Sequence, residues 1–178
     1  MEVIKFAKLH PDAKIPTKRD EDAGYDIYPA FDEDFIQIAP HETVMIPTGL
    51  CSAFSSDYVI SLKERGSTGT KGIGQRSGVI DSGYRGEWIV PITNHNNWKN
   101  IFITKLSEDE TVKKKVAKEY PSVKMDYKAL SIFYPYDKAI CQALLIPVPK
   151  STTEECTVEE IKAISSERGD GRLGSSGK

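Results

Sequence analysis

An all-β domain of sandwich, jelly-roll or barrel type is what this sequence predicts, and three observations lead there. Short segments in the first half of the chain alternate apolar and polar residues with a period of two. Clusters of Gly, Pro, Asp and Ser separate those segments. A single stretch breaks the pattern and reads as a helix. Many short strands with such punctuation build layered or closed β architectures.

In chain order, "EVIKF", "FIQIA" and "TVMIPTGL" are the first strand candidates. In "DYVISLK", Tyr58, Ile60 and Leu62 share one face, while Val59, Ser61 and Lys63 share the other. "EWIVPIT" repeats the alternation with Trp88, Val90 and Ile92. Residues 107 to 120, "SEDETVKKKVAKEY", form the predicted helix, with a Ser107-x-x-Glu110 capping box, acids in the first turn and lysines later. Pro121 stops it. The helix is either a solvent-facing excursion or a docking element. The apolar run "AICQALLIPV" is the last strand.

At 178 residues and 39% hydrophobic content, the chain fits one domain with a core that needs no metal or disulfide. A formal net charge of −2 argues against nucleic acid, which calls for a basic stripe. The only dense cationic run, Lys113–Lys115, reads as a solvated helix face. With no apolar leader and no membrane-length apolar run, a cytoplasmic protein is expected. Cys51, Cys141 and Cys156 are odd in number and far apart, as reduced thiols would be. His10, His41 and His95 lack metal-ligand spacing and read as surface residues.

Four stretches look unlike ordinary strand and turn. In "DAGYDI", two acids bracket a glycine that permits close backbone approach. In "KERGSTGTKGIGQ", Arg65 precedes a run of Gly, Ser and Thr whose amides and hydroxyls suit phosphate oxygens. It is no Walker A loop, because Gly72 follows Lys71. In "GVIDSGYRGEW", Asp81 follows the apolar pair Val79–Ile80, a strand end where a half-buried general base could be held. The same "DSGYRG" also reads as a plain hairpin turn. The fourth stretch is the C-terminal "ERGDGRLGSSGK", in which Gly169, Gly171 and Gly174 spell a dinucleotide fingerprint. Too few residues follow for the helix such a turn requires, so the Rossmann reading fails. Arg168, Ser175 and Ser176 instead repeat the inventory around Arg65. Two phosphate cradles flanking an acid suggest water attack on phosphorus.

Taken in order, these stretches resemble the five motifs of the trimeric deoxyuridine triphosphatases (dUTPases): "AGYDI", "ERGS", "GVIDSGYRGE", "AICQALL" and "RGDGRLGSSG". The resemblance implies a jelly-roll subunit, residues 1–166, with a flexible arm, 167–178, that closes over the active site of a homotrimer. By similarity, Asp81 activates the water that attacks the α-phosphorus of dUTP, releasing dUMP and pyrophosphate. Tyr84 packs on the deoxyribose, and Gly78, Val79 and Ile80 read the uracil through backbone groups, with Gln75 a further contact. Arg65, Gly66, Ser67 and Gln142 hold the phosphates, Gln142 also serving the attacking water as a second catalytic residue. Asp26 orients Arg65 or a water on Mg²⁺, which the triphosphate itself mainly holds. In the arm, Arg168 meets the γ-phosphate, Ser175 and Ser176 donate hydrogen bonds, and Leu173 and Gly174 cover the base.

The chain departs from the family pattern in places. Leu173 stands for an aromatic residue and Arg172 for a glycine, Glu64 replaces the proline before the arginine, and Gly66 takes the place of a serine. Residues 94–138 exceed the roughly one dozen residues of an ordinary loop, so they read as an insert. It holds the helix and the aromatics Tyr127, Phe133, Tyr134 and Tyr136. Some phage-encoded relatives carry inserts at this point, so the resemblance extends to a phage origin and a regulatory protein partner. A dCTP deaminase, a structural relative, requires a glutamate on the strand after "DSGYRG", where "WIVPITN" has none.

Overall fold

The computed structural model describes residues 2–119, 127–167 and 169. It divides into two units, Met1–Val148 and Pro149–Lys178. The first is built almost wholly of strands: β1 (Lys5–Lys8), β2 (Tyr25–Ile27), β3 (Phe35–Ile38), β4 (Thr43–Pro47), β5 (Leu50–Ala53) and β6 (Tyr58–Lys63). A helical turn, α1 (Gly66–Gly69), leads to β7 (Ile73–Gln75), β8 (Val79–Ile80), β9 (Ile89–Asn94) and β10 (Asn100–Thr104). After α2 (Glu108–Glu119) come β11 (Ser131–Pro135) and β12 (Cys141–Pro147).

These strands form four small sheets in the orders β1-β5, β11-β10-β3, β2-β12-β6-β8 and β4-β9-β7. Between them lies one core in which Ile27, Ile46, Ile60, Leu62, Val90 and Ile101 are buried around Trp88. Trp88 meets Phe6 edge-on at 5.3 Å, and its indole N–H donates to Ser52 Oγ at 3.2 Å. The period-two alternations in β6 and β9 therefore carry the inward faces expected of them.

The segment "TVMIPTGL" is two strands rather than one. Gly49, at φ 63, turns the chain in the left-handed region and separates β4 from β5. β1 starts at Lys5, later than "EVIKF" suggests. The predicted helix forms as α2. Ser107 Oγ accepts from Glu110 N at 3.3 Å, and the Ser107 hydroxyl donates to Glu110 Oε2 at 2.7 Å, holding that carboxyl below its usual pKa.

Among the described residues every strand pair is antiparallel except one: β10 and β11 run parallel, with Ile103 opposite Tyr134. A parallel pair needs a long crossover, and the segment carrying α2 is that crossover. Thr111, buried on α2, bonds Thr104 Oγ1 at 2.8 Å and fastens the helix to β10. The aromatics of this region find partners: half-buried Phe133 stacks on Phe102 at 5.7 Å, half-buried Tyr136 meets Phe31 edge-on at 4.8 Å, and Tyr134 is buried.

In the second unit, Thr157 caps α3 (Val158–Ala163) by accepting from Glu160 N at 3.2 Å. None of the helices described is long and apolar enough to cross a membrane.

Candidate active site

β12 lies between β2 and β6, and this placement assembles the first, second and fourth motifs. Gln142 pairs with Asp26 on one side and with Lys63 on the other. The strand ends at Lys63, and α1 begins three residues on, at Gly66. Thr68, fully buried, locks that turn: its hydroxyl donates to the Arg65 carbonyl at 2.8 Å and accepts from Arg65 N at 3.3 Å. Gly66 and Ser67 are left exposed at the start of the turn.

The Arg65 guanidinium is held on two sides. Nη2 faces Asp26 Oδ1 at 3.2 Å, and Nη1 donates to the Ala139 carbonyl at 3.1 Å. Of its five N–H donors, those remaining can serve an anion. Gln142 donates to the Glu64 carbonyl at 2.8 Å, while Glu64 Oε1 accepts from Gln75 N at 3.1 Å. Glu64, the residue in place of the family's proline, thus ties two site strands together. A Cβ on Gly24 would stand 2.7 Å from Gln142 Oε1, so the glycine of "AGYDI" is needed for close approach. Asp26, Arg65, Gln142, Gly24, Lys18 and Arg19 line one open cavity of about 770 Å³.

The third motif forms a separate cluster. β8 pairs with β6 through Ile80 opposite Ile60, which buries Ile80 and leaves Val79 exposed. The chain then turns, with Tyr84 N donating to the Asp81 carbonyl at 3.0 Å. The turn reading of "DSGYRG" and the strand-end placement of Asp81 therefore hold together. The half-buried setting expected for Asp81 does not: the turn carries its side chain off the sheet, where it is exposed in the single chain.

The residues after Asp81 brace the hairpin. Arg85 Nη1 donates to the carbonyls of Ser82 at 2.6 Å and Ser52 at 3.2 Å. Glu87 Oε1 accepts from Gly49 N at 2.7 Å. A Cβ on Gly86 would collide with the Tyr84 hydroxyl, which donates to the Glu87 carbonyl at 3.0 Å. These bracing roles of Arg85, Gly86 and Glu87, like that of Thr68, were not foreseen; "YRGE" spells the residues but not their partners. Val79, Ile80, Asp81 and Tyr84 line a second cavity of about 190 Å³, which shares no lining residue with the first.

Of the remaining candidates, Gln75 folds its amide onto the Ser77 carbonyl at 2.7 Å, and the Gly78 carbonyl accepts from Leu62 N at 3.0 Å. Arg168, Leu173, Gly174, Ser175 and Ser176 lie outside the described residues. Among the described residues, no three His, Cys, Asp or Glu side chains group to hold a metal.

A guanidinium cradle on β2, β12 and β6 and a carboxylate-bearing hairpin after β8, the edge strand of the same sheet, mark a class of site for an anionic ligand, and known proteins narrow it. Residues 12–107 match the dUTPase family model. Among curated relatives, the deoxyuridine 5'-triphosphate nucleotidohydrolase of Leptospira interrogans is 34% identical over 95 residues, covering 51% of this chain and 65% of that protein. The chain thus spans just under two thirds of that relative's length. The enzyme of the same name from Nautilia profundicola is 32% identical over 179 residues, covering 98% of this chain and 99% of the relative. The Staphylococcus bacteriophage 80alpha dUTPase, solved with dUpNHpp, shares the fold at a TM-score of 0.70, with 24% identity and 99% of each chain covered. The chain belongs to the dUTPase family.

Proposed function

We propose that the protein hydrolyses dUTP to dUMP and pyrophosphate, with Asp81 as the general base. One observation carries this reading: Asp26, Arg65 and Gln142 converge on one cavity, while Asp81 and Tyr84 line another that shares none of their residues. A base and a phosphate cradle so divided on one chain can act together when the hairpin of one copy faces the cradle of another. That arrangement supports a homotrimer with shared sites.

In such a site Arg65 and the exposed backbone and hydroxyl of Gly66 and Ser67 bind the phosphates. Gln142 exchanges its bond to Glu64 for a phosphate oxygen or the attacking water. Asp81 takes a proton from that water as its oxygen bonds the α-phosphorus, and the bond from the α-phosphorus to the bridging oxygen breaks. Pyrophosphate leaves with the bridging oxygen. Tyr84 packs against the deoxyribose, and the backbone from Gly78 to Ile80, with Gln75, reads the uracil. Arg168, Leu173, Gly174, Ser175 and Ser176 close over the ligand and shut out bulk water.

Asp26 is one oxygen donor, about one-third exposed beside Arg65, which fits contact with a metal through water but not a protein cage. Mg²⁺ carried by the triphosphate would neutralise charge on the phosphates. The exposed acidic first turn of α2, Glu108–Glu110, favours a second duty for the crossover as a docking face for a regulatory protein.

Pyrophosphate release from dUTP, dCTP, dTTP and UTP, with and without Mg²⁺, tests the reading. Turnover of dUTP alone is expected; ammonia from dCTP, or no turnover of dUTP, would overturn it.

A further inference from the structure

We infer that Tyr134 is a positioning residue for the phosphate cradle: its hydroxyl fixes the Ala139 carbonyl, and that carbonyl in turn holds Arg65. This inference rests on the dUTP reading above. It starts from the crossover. β10 and β11 run parallel, so the chain returns from α2 with Tyr134 opposite Ile103 and its side chain buried. A turn follows, closed by Lys138 N donating to the Pro135 carbonyl at 3.1 Å. It brings Ala139 back within reach of Tyr134, whose hydroxyl donates to the Ala139 carbonyl at 2.6 Å. The same carbonyl accepts from Arg65 Nη1 at 3.1 Å.

A carbonyl oxygen has two lone pairs, and here each has its own donor. Ala139 is itself buried, and the next residue, Ile140, donates to the Ile27 carbonyl at 2.8 Å on the strand that carries Asp26. The acceptor therefore sits on a segment pinned from both ends. Without the phenol, one lone pair of a buried carbonyl would go unpaired and the peptide would be free to tilt toward another donor. Arg65 would follow it, losing one of its two fixed points.

The groups around the hydroxyl agree with a donor role. Burial pushes its pKa up, against the Arg65 guanidinium and the Ser67 hydroxyl, which pull it down; Asp26 adds to the rise. The phenol stays protonated, as a donor must. Ser67 and Arg65 both belong to the phosphate motif, so the hydroxyl lies in the electrostatic field of that motif.

Tyr134→Phe keeps the ring and removes the hydroxyl. With the non-hydrolysable imido analogue of dUTP as probe, its affinity is expected to fall roughly three- to tenfold, the size of one lost hydrogen bond. A merely structural role would lower affinity equally in any background. The same change made on Arg65→Lys should therefore have no further effect, because the group that Tyr134 acts through has gone. Equal losses in the two backgrounds, or no loss in the first, overturn the inference. Should Tyr134→Phe fail to fold, difluorotyrosine at position 134 keeps ring and hydroxyl but ionises at lower pH. Analogue binding should then weaken at lower pH than in the wild type, and superimposable pH profiles would overturn the assignment. A wild-type protein that binds no analogue sinks the dUTP reading itself, whereas a Tyr134→Phe protein that matches a binding wild type sinks only the role of Tyr134.

Discussion

Asp26 and Arg65 face one another at 3.2 Å across the end of the sheet, a strand-borne carboxylate fixing a guanidinium that starts a turn. Their side chains are 35% and 30% exposed, so solvent screens the pair and its worth is about 1 kcal/mol. In the function proposed, the pair serves orientation, holding the guanidinium at the wall of the cavity that both residues line. Asp26→Asn is expected to raise KM for dUTP about fivefold with little change in the melting temperature. Steady-state kinetics checks it, and an unchanged KM would separate Asp26 from the cradle.

Gly24→Ala probes the same cavity from its floor. The added methyl would meet Gln142 Oε1 at 2.7 Å and Gln142 Cβ at 3.1 Å. The Gln142 side chain must then swing, giving up its bond to the Glu64 carbonyl. With Gln142 in the role proposed for it, its displacement is expected to lower kcat/KM about a hundredfold, as 1 Å misplacements do. Folding should suffer far less, because the clash is with a side chain on an open face. Kinetics and thermal melts on the same preparation distinguish the two effects.

What the sequence reveals depends on whether the cause is local. The alternation of Ile60 and Leu62, or of Trp88, Val90 and Ile92, is local, and those residues line the core. The capping box of Ser107 and Glu110 is local too, and α2 begins there. The parallel union of β10 and β11 is not, because "NIFIT" and "SIFYP" have nothing in their own pattern that selects a parallel partner. Nor does an aromatic run disclose its direction: Tyr134 belongs to the interior, whereas its neighbour Phe133 is half-buried against Phe102 on the other face of the strand. The site divides the same way. "AGYDI", "ERGS" and "AICQALL" name the residues that converge, and β12 between β2 and β6 supplies the convergence. The exposure of Asp81 could not be read, because the turn after Ile80 decides it.

Asp81→Asn keeps the shape and hydrogen-bonding reach of the side chain and removes its basicity. Because the carboxylate is exposed in the single chain, the variant should fold and bind the imido analogue normally. Turnover of dUTP is expected to fall by about 10²–10⁴, the usual contribution of a positioned general base. Single-turnover rates at saturating dUTP measure it directly, and a near-normal rate would pass the role of base to another group.

Cys141 gives a prediction in pH. It lies fully buried on β12 beside the cradle, and burial pushes its thiol up to about 12; Arg65 pulls the other way, and Asp26 adds to the rise. In the folded protein the thiol therefore stays protonated and unreactive, and iodoacetamide at mildly alkaline pH should label exposed Cys156 and half-buried Cys51 first. The raised value also sets a sign for stability. The unfolded chain releases this proton near pH 9, its ordinary value, while the folded chain holds it to about 12. Across that window the folded state binds more protons, so the contribution is intact below pH 9 and is lost as pH rises toward 12. Each pH unit within it costs at most about 1.4 kcal/mol. Cys141→Ala removes this titration while other alkaline titrations remain. Denaturant melts from pH 8 upward should therefore show a shallower decline in the variant than in the wild type, and parallel declines would mean that the thiol ionises as readily folded as unfolded.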